Sequence, residues 1–197
     1  MAKSSAPSRE RIVAGAADMI SRRGLSATSI RDLAKHAKAP LGSTYHYFPE
    51  GKQQLATEAV RYAGGAVARI LRAELRAGGP VAGLRAFLGL WRGIVVESDF
   101  RAGCPVLAVS VEEPPADETP PALVAAAEAF EGWERLLAES LGEHGVARDQ
   151  AEGLAALVVA SVEGATAMCR AKRDAQPLDQ VAQQLEALIV GAIDRPA

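Results

Sequence analysis

Apolar positions in this chain recur every three or four residues, the period of a helix with one face turned to a core, and Gly and Pro interrupt the pattern. Ile12, Val13, Ala16, Ala17 and Ile20 mark the inner side of a first helix that begins after Pro7-Ser8 and stops at Gly24. Arg22 and Arg23 in its last turn suit the helix dipole. Thr28 or Ser29 caps a second helix whose apolar side is Ile30, Leu33, Ala34 and Ala37. A third begins at Pro40 or Leu41, where proline presets φ, and Phe48-Pro49 closes it. Longer helices follow at about 52–77, 80–98, 121–142, 149–172 and 177–193, with a shorter one at about 104–112. Gly78-Gly79-Pro80, the acidic proline-rich loop PPADETPP at 114–121 and the Gln176-Pro177 step separate them, and Gly64-Gly65 invites a bend or small-residue packing. Gly153, Ala156, Ala160, Gly164 and Ala167 form a small-residue seam that permits close helix approach, matched by Val181, Leu185, Leu188 and Ala192 on the last helix. No strand pattern and no internal repeat occurs, so the fold class is all-α.

The second and third helices are joined by only a few residues, the spacing of a DNA-binding helix-turn-helix. The third carries Ser43, Thr44, Tyr45, His46 and Tyr47, small polar groups and amphipathic rings able to reach phosphates and base edges. Tyr45 and Tyr47 also have a plainer reading, as rings packed against neighbouring helices. Charge favours the DNA reading: residues 1–62 hold ten Lys/Arg against five Asp/Glu, while the rest holds twelve against nineteen, so a basic head precedes an acidic body.

At 197 residues, 49% apolar and 23% charged, the chain suits one small and one larger domain. No apolar run stands out as membrane-spanning, and the opening MAKSSAPSRE lacks a signal-peptide core, so a cytoplasmic location away from membranes is expected. Cys104 and Cys169 form no CxxC pair, and His36, His46 and His144 have no metal-ligand spacing. GxSxG, P-loop and HExxH motifs are missing. Neither a metal, a cofactor nor an enzymatic activity is expected. Cys104 before Pro105 reads either as a thiolate activated at a helix N-terminus or as a small packing residue.

The segment from about 8 to 60 resembles the N-terminal domain of the TetR family of bacterial transcriptional repressors. The resemblance is carried by Gly24-Leu25-Ser26-Ala27-Thr28, by Tyr45-His46-Tyr47-Phe48 and by Lys52 at the start of the fourth helix. APLGSTYHYFPEGKQQL is similar to the lincomycin-resistance and multidrug-efflux repressor subgroup, and FRAGCPVLAVSVEE at 100–113 resembles that subgroup's effector domain. Lys38 replaces the family's turn glycine, Ala39 an aliphatic residue, and Thr44 a buried Leu or Ile. Leu41 stands where many relatives are polar.

The resemblance implies an N-terminal three-helix domain at 1–60 and a helical effector-binding and dimerisation domain at 61–197. It also implies a ligand-responsive repressor that binds a palindromic operator on double-stranded DNA. Thr28, Ser43, Tyr45, Tyr47 and Lys52 are the phosphate candidates; Arg31, Leu41, Gly42 and His46 are the base-reading candidates. The two terminal helices would pair with those of a second copy. Phe87, Trp91, Phe100, Cys104, Phe130, Trp133 and Met168 are the available lining for a small apolar or aromatic effector. Two rivals remain: a regulator of the same fold controlled by a protein partner or by Cys104 oxidation, and a helical-bundle enzyme.

Overall fold

The computed structural model describes residues 9–113 and 119–194, all of whose regular elements are helices. These are α1 (Arg9–Arg23), α2 (Ile30–His36), α3 (Leu41–Tyr47), α4 (Lys52–Glu97), α5 (Pro105–Ser110), α6 (Pro121–Glu143), α7 (Arg148–Lys172) and α8 (Gln176–Ile193). Most of the loop expected at 114–121 lies outside the described residues; its last residue, Pro121, opens α6.

Two of the longer helices expected after residue 52 run on as one element, α4, with a break between them. Gly78 (φ −144°, ψ 16°) and Gly79 (φ 70°, ψ −166°) leave helical geometry, and Pro80 restarts it. A Cβ on Gly79 would stand 2.8 Å from His144 Nε2, so conformation and close approach both demand glycine there. The backbone keeps helical geometry through Gly64-Gly65.

The chain divides into two compact units, Met1–Gly64 with Pro105–Ala127, and Gly65–Cys104 with Glu128–Ala197. The expected border at 60/61 thus falls four residues later, and a segment far along the chain joins the head. The reason is burial, since α5 packs on α1 and hides Val106 and Val109. Ile12, Ala16, Ile20, Leu33, Phe48 and Leu55 complete the core of the first unit. The second unit packs α7 on α8 around Val158, Val162, Leu185 and Ile189.

The α4 and α7 helices are long and apolar enough to cross a membrane by length and composition, against the sequence expectation that no run is. Each is partly buried inside the helical units, as the core helices of a helical protein are.

Candidate nucleic-acid interface

The helix-turn-helix is assembled on α1 by close contact and by one ionic cluster. Gly15 lets α2 approach, for a Cβ there would lie 2.8 Å from the Ala37 Cβ. Asp18 on α1 accepts hydrogen bonds from Arg22 Nε (2.9 Å) and pairs with His36 Nε2 of α2 (2.6 Å). Partial burial disfavours the Asp18 carboxylate, but the bonds from Arg22 and His36 outweigh it and hold the carboxyl below its usual range.

Of the two cap candidates, Ser29 is the N-cap. Its hydroxyl accepts from the Asp32 amide at 3.1 Å, and the Asp32 carboxylate accepts from the Ser29 amide at 3.1 Å, a complete capping box. The bonds from the Ser29 hydroxyl and amide hold the Asp32 carboxyl below the ordinary range. Thr28 is instead buried, with its hydroxyl donated to the Leu25 carbonyl at 2.9 Å. This corrects its reading as a phosphate contact: the side chain shapes the corner before α2.

Between α2 and α3, Lys38 adopts φ 52°, the left-handed conformation that suits the glycine the family prefers there. Thr44 is fully buried and its hydroxyl donates to the Pro40 carbonyl at 3.2 Å, so the polar group standing in place of an aliphatic one is satisfied. With Phe48 also buried, these residues anchor α3 from below. The opposite side exposes Gly42, Tyr45 (48% exposed) and His46, with Leu41 and Ser43 half-buried. Arg31 is exposed on α2. Tyr47 is half-buried between the edges of His46 and Phe48, with centroids at 5.5 and 6.5 Å, which gives its packing role a geometric basis. Lys52 is half-buried at the start of α4, on the wall of a small cleft shared with Ser26 and Glu112.

In the second unit the aromatic candidates only partly converge. Phe87, Trp91 and Trp133 are buried and meet edge-on or tilted, with centroids 5.7 to 6.3 Å apart; Phe130 meets Trp133 at 5.5 Å. Phe100 lies half-buried in the turn after α4, with φ 58°. Met168 is 48% exposed on the outer side of α7, which corrects its reading as interior lining, because its helix turns Thr166 and Cys169 inward instead. A cleft of about 700 Å³ between α6 and α7 is walled by Glu131, Glu134, Arg135, Arg148 and Glu152 and not by the aromatic cluster.

Sequence reasoning passed over Glu163. Its carboxyl is buried, and its oxygens meet no partner better than the weak thiol donor of Cys104, itself buried. Burial pushes the Glu163 carboxyl up to about 8, and the thiol offsets little of this. Among the described residues, the buried Trp91 Nε1 also has no hydrogen-bond partner. A lone Glu in an alanine-rich helix carries no periodic signal, so only packing reveals it.

A helix-turn-helix with an anchored underside and an exposed polar outer side is the arrangement of a DNA-binding transcriptional regulator. Residues 12–59 match the bacterial regulatory proteins of the tetR family, and residues 80–184 match the C-terminal domain of LmrA/YxaF-like transcriptional regulators. The chain belongs to the TetR family. It is 42% identical over 188 residues to the HTH-type transcriptional regulator Rv0196 of Mycobacterium tuberculosis, covering 94% of this chain and 95% of that one. It is 30% identical to YxaF of Bacillus subtilis, covering 92% and 95%. A TetR regulator from Legionella pneumophila shares the fold with a TM-score of 0.80 at 20% identity, over 94% of this chain and 98% of that one.

Proposed function

We propose that this regulator is a cytoplasmic homodimeric repressor that binds a palindromic operator and is released by a small apolar or aromatic effector. The observation that carries the reading is the two-sidedness of α3, where Thr44 and the Phe48 that follows it are buried while Gly42, Tyr45 and His46 are exposed. Ser43, Tyr45, Tyr47 and Lys52 then serve phosphates, which supply affinity. Arg31, Leu41, Gly42 and His46 face the bases, which supply sequence choice.

Pairing of two copies is supported by the outer side of α7 and α8. Gly153, Ala156, Ala160, Gly164 and Ala167, the small-residue seam, are all exposed in the protomer, together with Leu157, Met168, Leu188 and Val190. A Cβ on Gly153, Gly164 or Gly191 would meet nothing within 4 Å, so a second helix can approach closely. The effector reading rests on the interior of the second unit, where the aromatic cluster lies in the region matched to LmrA/YxaF-like regulators. A ligand preferring one arrangement of the dimer would shift its population and move the two reading helices off successive major grooves, which are about 34 Å apart.

The test is affinity capture and sequencing of random duplex DNA at about 0.15 M salt, where nonspecific binding is weak. Wild type should recover a palindrome that Tyr45→Ala does not. Recovery of an equal, sequence-independent pool by both proteins would remove the operator reading. Compounds that lower affinity for the recovered operator would identify the effector, and failure of every apolar or aromatic compound to change affinity or melting temperature would remove that part.

A further inference from the structure

The corner between α1 and α2 holds an acid that comes from far along the chain. Gly24, at φ 78°, turns the backbone so that consecutive amides converge. The Leu25 amide donates to Glu112 Oε1. The Ser26 amide donates to both carboxylate oxygens, at 3.0 and 2.9 Å, and the Ser26 hydroxyl donates to Oε2 at 2.6 Å. A Cβ on Gly24 would lie 2.7 Å from Oε1, so only glycine leaves room for this carboxylate. The far side of the same corner is closed by Thr28, whose amide and hydroxyl both donate to the Leu25 carbonyl. One residue later Ser29 starts α2.

The source of the acid matters. Glu112 follows α5 within FRAGCPVLAVSVEE, inside the region matched to the effector-domain family, yet Pro105–Ala127 packs with the head. Its charge is also the wrong sign for a DNA-binding surface. By Coulomb attraction alone a head that binds phosphates gains from losing it.

We propose that Glu112 is a positioning residue for operator recognition: its carboxylate fills the amide nest at the α1–α2 corner and fixes the direction in which the helix-turn-helix leaves α1. This rests on the operator reading and adds a residue that touches no DNA. Geometry and charge then predict opposite signs. Glu112→Gln keeps the shape but replaces an acceptor oxygen with an NH2 that repels the amides. Lys52 and Glu113, which share the neighbouring cleft, remain in place.

The experiment measures binding of wild type, Glu112→Gln and Ser26→Ala to the selected operator and to random duplex, beside the amide NMR spectrum. Loss of charge-assisted bonds should weaken operator affinity of Glu112→Gln roughly tenfold and leave random-duplex affinity unchanged or higher. Ser26→Ala should lose less, and the double variant less than the sum of the two. The Leu25 and Ser26 amide protons should move upfield in Glu112→Gln. Equal or tighter operator binding by Glu112→Gln overturns the proposal in favour of a charge effect, and parallel loss on both DNAs assigns Glu112 to stability alone. Failure of wild type to prefer any operator would instead remove the operator reading itself.

Discussion

Lys38 shows how a single side chain is held against its own preference. A non-glycine residue in the left-handed region costs about 1–2 kcal/mol, and here the α2–α3 turn imposes it through bonds from the Lys38 amide to the Lys35 carbonyl (3.1 Å) and from the Ala39 amide to the Ala34 carbonyl (2.9 Å). Lys38→Gly should therefore raise stability by about 1 kcal/mol, net of the freedom glycine adds to the unfolded chain. Thermal unfolding checks this, and an unchanged or lower Tm would contradict it. Glu163 is strained electrostatically. Its folded pKa of about 8 exceeds the unfolded value of 4.5, so the folded state holds the proton more tightly. Its contribution to stability is complete below the unfolded value and is lost as pH rises through the interval to about 8. Glu163→Gln should flatten that decline and be more stable than wild type at about pH 8 by roughly 2–4 kcal/mol. Parallel denaturation curves across that range would show that Glu163 is neutralised some other way.

Among elements, α3 is too short to be stable alone, since isolated helices under about 12 residues are marginal in water. Its seven residues stand because Thr44 at its middle and Phe48 at its C-cap are buried and Arg9 lies over the Phe48 ring, 5.2 Å from its centroid. Arg9 also reaches Glu58 at 2.5 Å, tying the start of α1 to α4. The interruption of α4 is equally local in cause. At φ 70° and ψ −166°, Gly79 occupies a region essentially reserved for glycine. Gly79→Ala should cost about 2–3 kcal/mol, combining backbone strain with the clash against His144. A loss below about 0.5 kcal/mol in chemical denaturation would mean that the break relaxes freely.

At the scale of the whole molecule, the proposed repressor function depends on a second copy. The outer α7–α8 surface leaves Leu157, Met168 and Leu188 between 44% and 48% exposed around the glycine-alanine seam, material for a buried interface. Leu188→Glu should give a monomer by sedimentation and reduce affinity for a full palindrome toward that for a half-site. A stable dimer with full affinity would place the interface elsewhere. The surface pairs Arg85–Glu186 and Arg92–Asp179 tie α4 to α8 within one protomer. Exposed as they are, they contribute little to stability.

The all-helical class, most helix limits, the glycine break, the capping signal before α2 and the basic head were legible in the sequence, because each follows from residues within a few positions of one another. Periodicity, caps and glycine conformations are short-range physics. Which side chains face inward was not legible wherever the choice depended on a distant partner. Thr28 turned into the corner, Met168 turned out, the segment after Cys104 joined the head, and Glu112 reached Leu25 and Ser26 across more than eighty residues. Only tertiary packing brings such groups together, and burial and hydrogen bonding then decide between roles that residue type alone leaves equal.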